Sequence, residues 1–284
     1  MFLVRGKMVY ADLHVHTKAS DGLLTLEEVV EEARKKKIGV LGITEHDSLN
    51  PKLSKRWENI NGVEVVTGTE IKAMYMGTKI EILCYFVDPK DNELGGIFKE
   101  IQENRIRRME KMVDGFNRMD TGVKLTMEDV LEVADGPVGR PHFARVIALK
   151  GLTETTREAF DKYAKEDSEC YFSIERPGSS KVIEKAKKSG AFTSLAHPCT
   201  EDIENIDSFL EGLISQGLDG CEVNYPYTTS PKTLKLDPKD VEKTVERLGL
   251  VKTGGSDFHN RTGFTLGSGG VTKDVLDDMK RRVV

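Results

Sequence analysis

Short apolar runs alternate with amphipathic segments over most of the 284-residue chain. In the first third, the runs have the length and the β-branched content of buried strands. They cover residues 8–14, 40–44, 63–68 and 79–87. A helix is predicted between the first two runs, because Thr25 and Glu28 stand three residues apart as a capping box. Its predicted apolar face consists of Leu26, Val29, Val30 and Ala33.

The stretch from residue 91 to residue 180 has a different pattern, because it contains no strand-like run. Amphipathic helices are predicted over residues 97–116, 127–135, 140–150 and 155–165. The turn-forming residues 175–180 end the stretch. We therefore expect a helical insertion over residues 91–180.

The alternation of strands and helices resumes after residue 180. Helices are predicted over residues 180–189, 202–216, 239–248 and 272–282, and strands over residues 191–197, 220–225 and 250–257. About seven strand–helix units result, which indicates an α/β barrel. Residues 1–90 and 181–284 are expected to form the barrel domain, with 91–180 as an inserted domain.

Residues that can ligate metal ions gather near the ends of the predicted strands. The segments that carry them are DLHVHTKASDG, GITEHDS, GTEI, KIEILCYF, AHP and GGSDFH. In a barrel, the loops at the carboxyl ends of the strands share one rim, so these residues are expected to converge. Crowded carboxylates and imidazoles resist burial unless cations lie between them. The sequence predicts a polynuclear metal centre with nine candidate ligands: His14, His16, Asp21, His46, Glu70, Glu81, His197, Asp257 and His259.

Two pairs of these residues share a spacing that suits a common ion. His14 with His16, and Asp257 with His259, stand two residues apart, so each pair leaves one face of an extended strand. The nine residues offer nitrogen and oxygen donors without thiolates, which favours manganese, iron or zinc.

Other residues near the motifs receive different interpretations. Cys199 follows His197 by two residues, but we do not expect it to be a ligand, because nitrogen and oxygen donors are plentiful. Glu222 is expected to support the centre rather than to bind an ion. Gly255 and its preceding glycine suit a close backbone approach. Two interpretations of His142 stay open, as a helix-capping residue and as a contact to substrate.

Composition and charge narrow the possible functions. The net charge of −5 and the pI near 5.8 give no general attraction to duplex DNA or to an anionic membrane. No run approaches the roughly 20 apolar residues that span a bilayer, and the first residues lack a signal-peptide pattern. The four cysteines show no CxxC pairing, so we expect reduced thiols and a cytoplasmic location. With no triad order, nucleophile elbow or P-loop, metal-bound water is the expected nucleophile.

The segments HVHTKASDG, EHD, GTE, AHP and SDFH, in this order, resemble the PHP (polymerase and histidinol phosphatase) family of metal-dependent phosphoesterases. The resemblance spans essentially the whole chain. The segment 91–180 resembles the insertion of a branch associated with nucleotide phosphatase activity, hydrolysis of nucleoside 3′,5′-bisphosphates and 5′-to-3′ trimming of short RNA. The resemblance implies a distorted seven-stranded (β/α)7 barrel, a helical insertion that caps the substrate, and a trinuclear centre.

The resemblance also implies how the ligands divide among three ions. The first set is His14, His16, Glu70 and Asp257; the second is Glu70, His197 and residue 81; the third is Asp21, His46 and His259. Position 81 departs from the family pattern, in which a histidine is expected. Glu81 adds a negative charge that favours a harder ion or weakens the second site, so two or three divalent ions are expected.

Four residues are candidates for binding the substrate phosphate. Arg140 and His142 match a family segment implicated in this role, and Arg176 and Arg261 are further candidates.

The expected function is hydrolysis of the terminal phosphate of a nucleotide, a nucleoside 3′,5′-bisphosphate or a short oligonucleotide. The partner is then a small phosphorylated molecule or a short RNA. Three alternatives stay open: a histidinol-phosphate-type phosphatase, an amidohydrolase (a class that also places an HxH motif on a barrel), and a non-catalytic PHP module stabilised by metal.

Overall fold

The computed structural model describes residues 3–4, 7–134, 136–229, 233–261 and 264–283. Its backbone contacts divide the chain into two compact units. The sheet unit comprises residues 1–97 and 177–284, and the insertion unit comprises residues 98–176.

The elements up to the insertion are mainly strands. In chain order they are β1 (Leu3–Val4), β2 (Lys7–Met8), β3 (Ala11–Val15), α1 (Leu26–Lys36), β4 (Val40–His46), β5 (Trp57–Ile60), β6 (Val63–Tyr75) and β7 (Thr78–Tyr85). Helix α1 confirms its predicted capping box and its predicted apolar face, all four residues of which are buried. Burial of an aliphatic side chain of this kind stabilises a fold by about 1.5–3 kcal/mol, so this face fixes the helix against the sheet.

Helices α2 (Gly95–Arg118), α3 (Met127–Glu132), α4 (Arg140–Leu149) and α5 (Thr156–Ala159) follow, and a π-helical turn covers Phe160–Ala164. The insertion unit has its own aromatic core, in which Phe116 meets Phe143 and Tyr163 edge to face at centroid distances of 5.9 and 5.4 Å. Such pairs add about 0.5–1.5 kcal/mol each beyond their buried area, so this core holds the helices of the unit together.

After the insertion, helices and strands alternate again. The elements are α6 (Ser179–Lys188), β8 (Phe192–Leu195), a 3-10 turn (Pro198–Thr200), α7 (Ile206–Ser215), β9 (Gly220–Asn224), α8 (Pro238–Arg247), β10 (Val251–Gly254) and α9 (Lys273–Arg282). Helix α7 starts four residues later than expected, because the Asn205 side chain accepts a hydrogen bond from the backbone N–H of Ser208 and caps the helix there.

The fold is α/β, with one mixed sheet in the order β10-β9-β8-β7-β6-β4-β3, and with β5 paired to β6. The expectation that all barrel strands run in one direction is wrong at β7, which is antiparallel to both neighbours. The cause is a two-residue turn at Met76 and Gly77, whose φ angles of 48° and 80° suit a tight hairpin. Strand β6 therefore continues through Glu70 to Tyr75 instead of ending near residue 68.

The segment after β10 returns to β3. Phe258 N–H donates to the His14 carbonyl at 3.2 Å, and His16 N–H donates to the Phe258 carbonyl at 2.9 Å. These bonds place Asp257 and His259 beside His14 and His16. In the described part of the chain, no helix has the length and apolar composition required to cross a bilayer.

Candidate metal centre

All nine predicted ligands lie in the sheet unit, and their side chains form one cluster. Glu70 is at its middle: its Oε1 is 3.2 Å from His197 Nε2, and its Oε2 is 2.9 Å from His46 Nδ1. Glu70 is fully buried, and its position inside the long strand β6 fixes its backbone on both sides. A carboxylate shared in this way can bridge two ions.

Four of the ligands form a first group around the end of β3. The donor atoms of His14, His16 and Glu70 lie within 4.8 Å of one another. Asp257 Oδ1 is 3.4 Å from Nε2 of both histidines. This arrangement brings together the set that the resemblance implies for the first ion.

A second group lies toward solvent. Donor atoms of His16, Asp21, His46 and His259 are within 4.8 Å of one another. Asp21 Oδ1 is 3.0 Å from His259 Nε2 and 3.8 Å from His46 Nε2. The Asp21 side chain is 42% exposed, although its Oδ1 atom and the rings of His16 and His259 are buried.

The third group contains a carboxylate that was not predicted. Glu81 Oε2 is 3.1 Å from His197 Nε2, and Glu201 Oε1 is 3.4 Å from His197 Nδ1. Their donor atoms form a further cluster that could hold an ion. Glu201 was missed because it follows the AHP motif by three residues, and the 3-10 turn folds it back onto His197.

Several residues hold the ligands in place. Glu222 accepts from the backbone N–H of His197 at 2.9 Å and lies 3.1 Å from His14 Nδ1, which agrees with its expected supporting role. The Tyr225 hydroxyl donates to Asp257 Oδ2 at 3.0 Å. Partners of this kind set the tautomer and orientation of metal ligands.

Asp12 is a further supporting residue, and sequence reasoning missed it. Its buried carboxylate accepts hydrogen bonds from the backbone N–H and hydroxyl of Ser256 and from the Gly267 N–H, at 2.6 to 2.9 Å. Burial raises the pKa of Asp12 to about 6, although these donors oppose the rise. Asp12 stands two residues before His14 on the same strand, and this spacing could have indicated that its side chain lies near the ligands.

The backbone approaches a predicted ligand closely at Gly255. A Cβ atom at this position would lie 2.2 Å from His14 Cβ and 2.3 Å from its backbone nitrogen. Only glycine fits, so the predicted close approach is confirmed.

The pKa shifts of the buried ligands reflect a site with many carboxylates and imidazoles close together, which can accommodate cations. Burial and the neighbouring His46 imidazole lower the pKa of His16 to about 3, so this ring is neutral at pH 7 and one of its nitrogens has a lone pair to offer. Burial opposes protonation of His14, but the carboxylates of Glu222 and Glu70 outweigh it and hold the pKa of His14 well above its ordinary value. Burial likewise opposes ionisation of Glu70, yet His14 and His46 hold its pKa well below the usual range.

The donor atoms themselves fit metal ions. Nε2 of His14, Nε2 of His16 and Oε2 of Glu70 are buried and make no well-aligned hydrogen bond within the described part of the chain. Leaving such groups unsatisfied costs about 1–3 kcal/mol each, a cost that ligation removes. Residues of all three groups could therefore hold divalent ions.

A cavity of about 270 Å³ opens over the centre. Its walls include eight charged or polar residues and one aromatic residue: Asp21, His46, Glu70, Lys72, Glu81, Asp257, His259, Arg261 and Phe264. The predicted phosphate-binding residue Arg261 is thus in the cavity wall, where its guanidinium also donates to the Asp21 carbonyl.

The other three predicted phosphate-binding residues lie in the insertion unit. The Arg140 guanidinium stacks at 5.5 Å over the rings of Phe160 and Tyr171. His142 Nδ1 accepts the backbone N–H of Gly139 at 3.1 Å, so the structure shows its capping role. Arg176 ends the unit.

Arg140 and Arg176 are part of a larger basic cluster in the insertion unit, with Arg105 and Arg108. Burial and the nearby charges of Arg105 and Arg140 lower the pKa of Arg108 to about 10, and Arg176 adds to the effect. The Arg108 Nε is buried and has no hydrogen-bond partner among the described residues.

The family can be decided by comparison with known proteins. The sequence profile of the PHP domain matches residues 12–175, more than half of the chain. The chain belongs to the PHP family. The predicted membership is confirmed.

This PHP protein is similar to several named bacterial proteins. It is 26% identical over 260 residues to a 3′,5′-nucleoside bisphosphate phosphatase of Chromobacterium violaceum, covering 89% of this chain and 88% of the relative. It is 24% identical to a 5′-3′ exoribonuclease of Haemophilus influenzae, covering 87% and 89%. It is 27% identical to a phosphoribosyl 1,2-cyclic phosphate 1,2-diphosphodiesterase of Eggerthella lenta, covering 89% and 95%.

A solved structure has a similar fold. A candidate metal-dependent phosphoesterase of Bifidobacterium adolescentis superimposes with a TM-score of 0.73 at 27% identity, covering 96% of both chains. The relatives are named as a phosphatase, an exoribonuclease and a phosphodiesterase, which confirms the expectation of a phosphoesterase enzyme.

Proposed function

We propose that this PHP protein hydrolyses the terminal phosphate of a nucleotide, a nucleoside 3′,5′-bisphosphate or a short oligonucleotide, with two or three divalent ions of manganese, iron or zinc. The observation that carries the proposal is the convergence of eight predicted ligands with nitrogen and oxygen donors around the ninth, Glu70, beneath an open cavity. The names of its relatives support phosphorylated nucleosides and RNA as the substrate class.

The bound ions would supply an activated water and would neutralise phosphate oxygens. Three groups of donors around one bridging carboxylate are suited to this chemistry. The proposed ligand sets are His14, His16, Glu70 and Asp257 for the first ion, Glu70, Glu81 and His197 for the second, and Asp21, His46 and His259 for the third.

The chain's own residues have defined tasks in this proposal. Glu222 fixes the His14 ring, and Tyr225 fixes Asp257. Arg261, in the cavity wall, binds the phosphate of the substrate as it enters.

In the insertion unit, we assign a phosphate-binding role to the arginine cluster, with Arg140 and Arg176 as predicted and Arg108 added. Guanidinium groups repel one another, and a phosphate between them would relieve that repulsion through charge-assisted hydrogen bonds. The buried Nε of Arg108, which has no hydrogen-bond partner within the described ranges, supports this role. His142 holds the start of α4, which carries Arg140. Arg108→Met should weaken the binding of inorganic phosphate by this cluster, as measured by calorimetric titration.

The test of the function is phosphate release by the purified protein with Mn²⁺, Fe²⁺ or Zn²⁺. The substrates are adenosine 3′,5′-bisphosphate, 5′-AMP, a 5′-phosphorylated trinucleotide and histidinol phosphate. Turnover of the nucleotide substrates with little on histidinol phosphate is expected. Absence of turnover on all four with every metal would refute the proposal, and preference for histidinol phosphate would favour the first alternative.

A further inference from the structure

Lys72 brings an ammonium group to the candidate metal centre. It lies on β6 two residues after Glu70, so both side chains leave the same face of the strand. Its direct partner on the antiparallel strand β7 is Glu81. Lys72 belongs to none of the predicted ligand sets, and its position results from the hairpin between β6 and β7.

The contacts of Lys72 place its charge at the boundary between the ligands and the cavity. Its Nζ is 3.5 Å from Glu81 Oε1 and 3.3 Å from His46 Nδ1. The side chain is 30% exposed and forms part of the cavity wall. One side of the ammonium therefore faces two candidate ligands, and the other side faces the space where a substrate would enter.

The two oxygens of the Glu81 carboxylate face different partners, the predicted ligand His197 and this lysine. Oε2 lies 3.1 Å from His197 Nε2, while Oε1 lies toward Lys72. Compared with the neutral histidine that the family pattern places here, Glu81 makes the centre more negative by one charge. The positive charge of Lys72 offsets this negative charge, on the side of the centre that faces the cavity.

An ammonium group has three donors in compact geometry and is a strong binder of phosphate oxygens. Glu81 holds one face of the group, which leaves donor capacity for an incoming anion. A cation fixed next to a cavity in this way lowers the cost of bringing a charged phosphoryl group near so many carboxylates.

We propose that Lys72 binds a non-bridging oxygen of the substrate phosphoryl group, and that Glu81 positions its ammonium for this contact. The proposal rests on the proposed function, because it assigns a residue to phosphate recognition in the same cavity.

The test is calorimetric titration of inorganic phosphate into the Mn²⁺-loaded protein, with the bound metal of each sample counted by mass spectrometry. The variants are Lys72→Met, Lys72→Arg and, as a matched control for loss of one positive charge, Lys90→Met. Lys90 is exposed on the loop after β7, outside the cavity wall.

Lys72→Met is expected to weaken phosphate binding roughly tenfold or more, as loss of a charge-assisted hydrogen bond should. Its metal content should equal that of the parent protein. Lys72→Arg should keep most of the affinity, and Lys90→Met should change nothing.

Unchanged phosphate affinity in Lys72→Met would overturn the proposal. A loss of affinity that only follows a fall in bound metal would also overturn it, because Lys72 would then act by holding the ligands. Ester hydrolysis is scored separately: a protein that binds phosphate through Lys72 but cleaves no ester would refute the proposed function and leave this contact standing.

Discussion

The two sides of the metal centre are built in different ways. The histidine side consists of His14, His16, Asp21, His46, Asp257 and His259, and the glutamate side consists of Glu81, His197, Glu201 and Lys72. Glu70 lies between them. On the histidine side, imidazoles crowd together, with the rings of His16 and His259 stacked at 4.2 Å. On the glutamate side, carboxylates surround a single imidazole and an ammonium lies next to them.

The two sides differ in how the charge of their carboxylates is stabilised, and Glu81 is the clearest case. Burial and Glu70 both oppose ionisation of Glu81, yet Lys72 and His197 hold the pKa of Glu81 below its ordinary range. Its carboxylate is therefore charged at pH 7 without any ion. The same ammonium lies 3.3 Å from His46 Nδ1, so Lys72 also contacts the edge of the histidine side.

The largest expected effect is at the residue that both sides share. Glu70→Gln should remove most of the bound metal and lower kcat/KM by at least roughly a thousandfold, more than the 10–100-fold typical of residues that only orient ligands. The bound metal is counted by mass spectrometry, and kcat/KM is measured with a nucleoside bisphosphate. Glu64→Gln is the control, since Glu64 lies on the same strand but pairs with Lys280 outside the centre. Full metal content in Glu70→Gln would disprove the bridging role.

Gly255→Ala should damage the histidine side alone. The added methyl would collide with His14, and overpacking of this kind typically costs about 1–3 kcal/mol. Denaturant unfolding should show the loss, and metal content should fall by the ions that His14 helps to hold. Gly96→Ala is the matched control, because a Cβ at residue 96 meets open space. If both variants unfold at the same denaturant concentration, the close approach is not essential.

Glu222 and Glu201 should contribute unequally to metal affinity, and the buried Glu222 should contribute more. Glu222 is fully buried and contacts His14 and His197, so Glu222→Gln should weaken metal affinity by about 10–100-fold. Glu201 is 20% exposed and contacts one histidine at 3.4 Å, so Glu201→Gln should cost less than about tenfold. Competition with a chelating dye measures both. An equal or larger effect at Glu201 would make it a ligand of the glutamate side.

The histidine side could be predicted from sequence because its residues come from short motifs. His14 with His16, and Asp257 with His259, are paired by a spacing of two, and strand ends that share a rim bring such pairs together. The division of the other ligands among three ions came from the family resemblance. The nine ligand roles stay predictions, although the structure places all nine side chains together.

On the glutamate side, Glu81 and His197 were predicted as ligands, but the contacts of Lys72 and Glu201 could not be predicted, because they depend on strand direction and on a local turn. Lys72 and Glu81 are opposite each other only because the turn at Met76 and Gly77 reverses the chain. The apolar pattern located strands near residues 63–68 and 79–87 but gave no register between them. Similarly, Glu201 reaches His197 through a 3-10 turn, which periodicity does not reveal.

The smallest expected effect concerns the choice of metal. Glu81→His replaces a hard oxygen donor with a nitrogen donor, so the affinity for Zn²⁺ relative to Mn²⁺ should rise, by about tenfold or less. The single variant should also bind every ion more weakly, because the Lys72 ammonium then faces the ions without its carboxylate. The double variant Glu81→His with Lys72→Gln should recover that loss and keep the shift toward zinc. Equal metal preference in the parent and both variants would show that Glu81 does not contact an ion and acts only on Lys72.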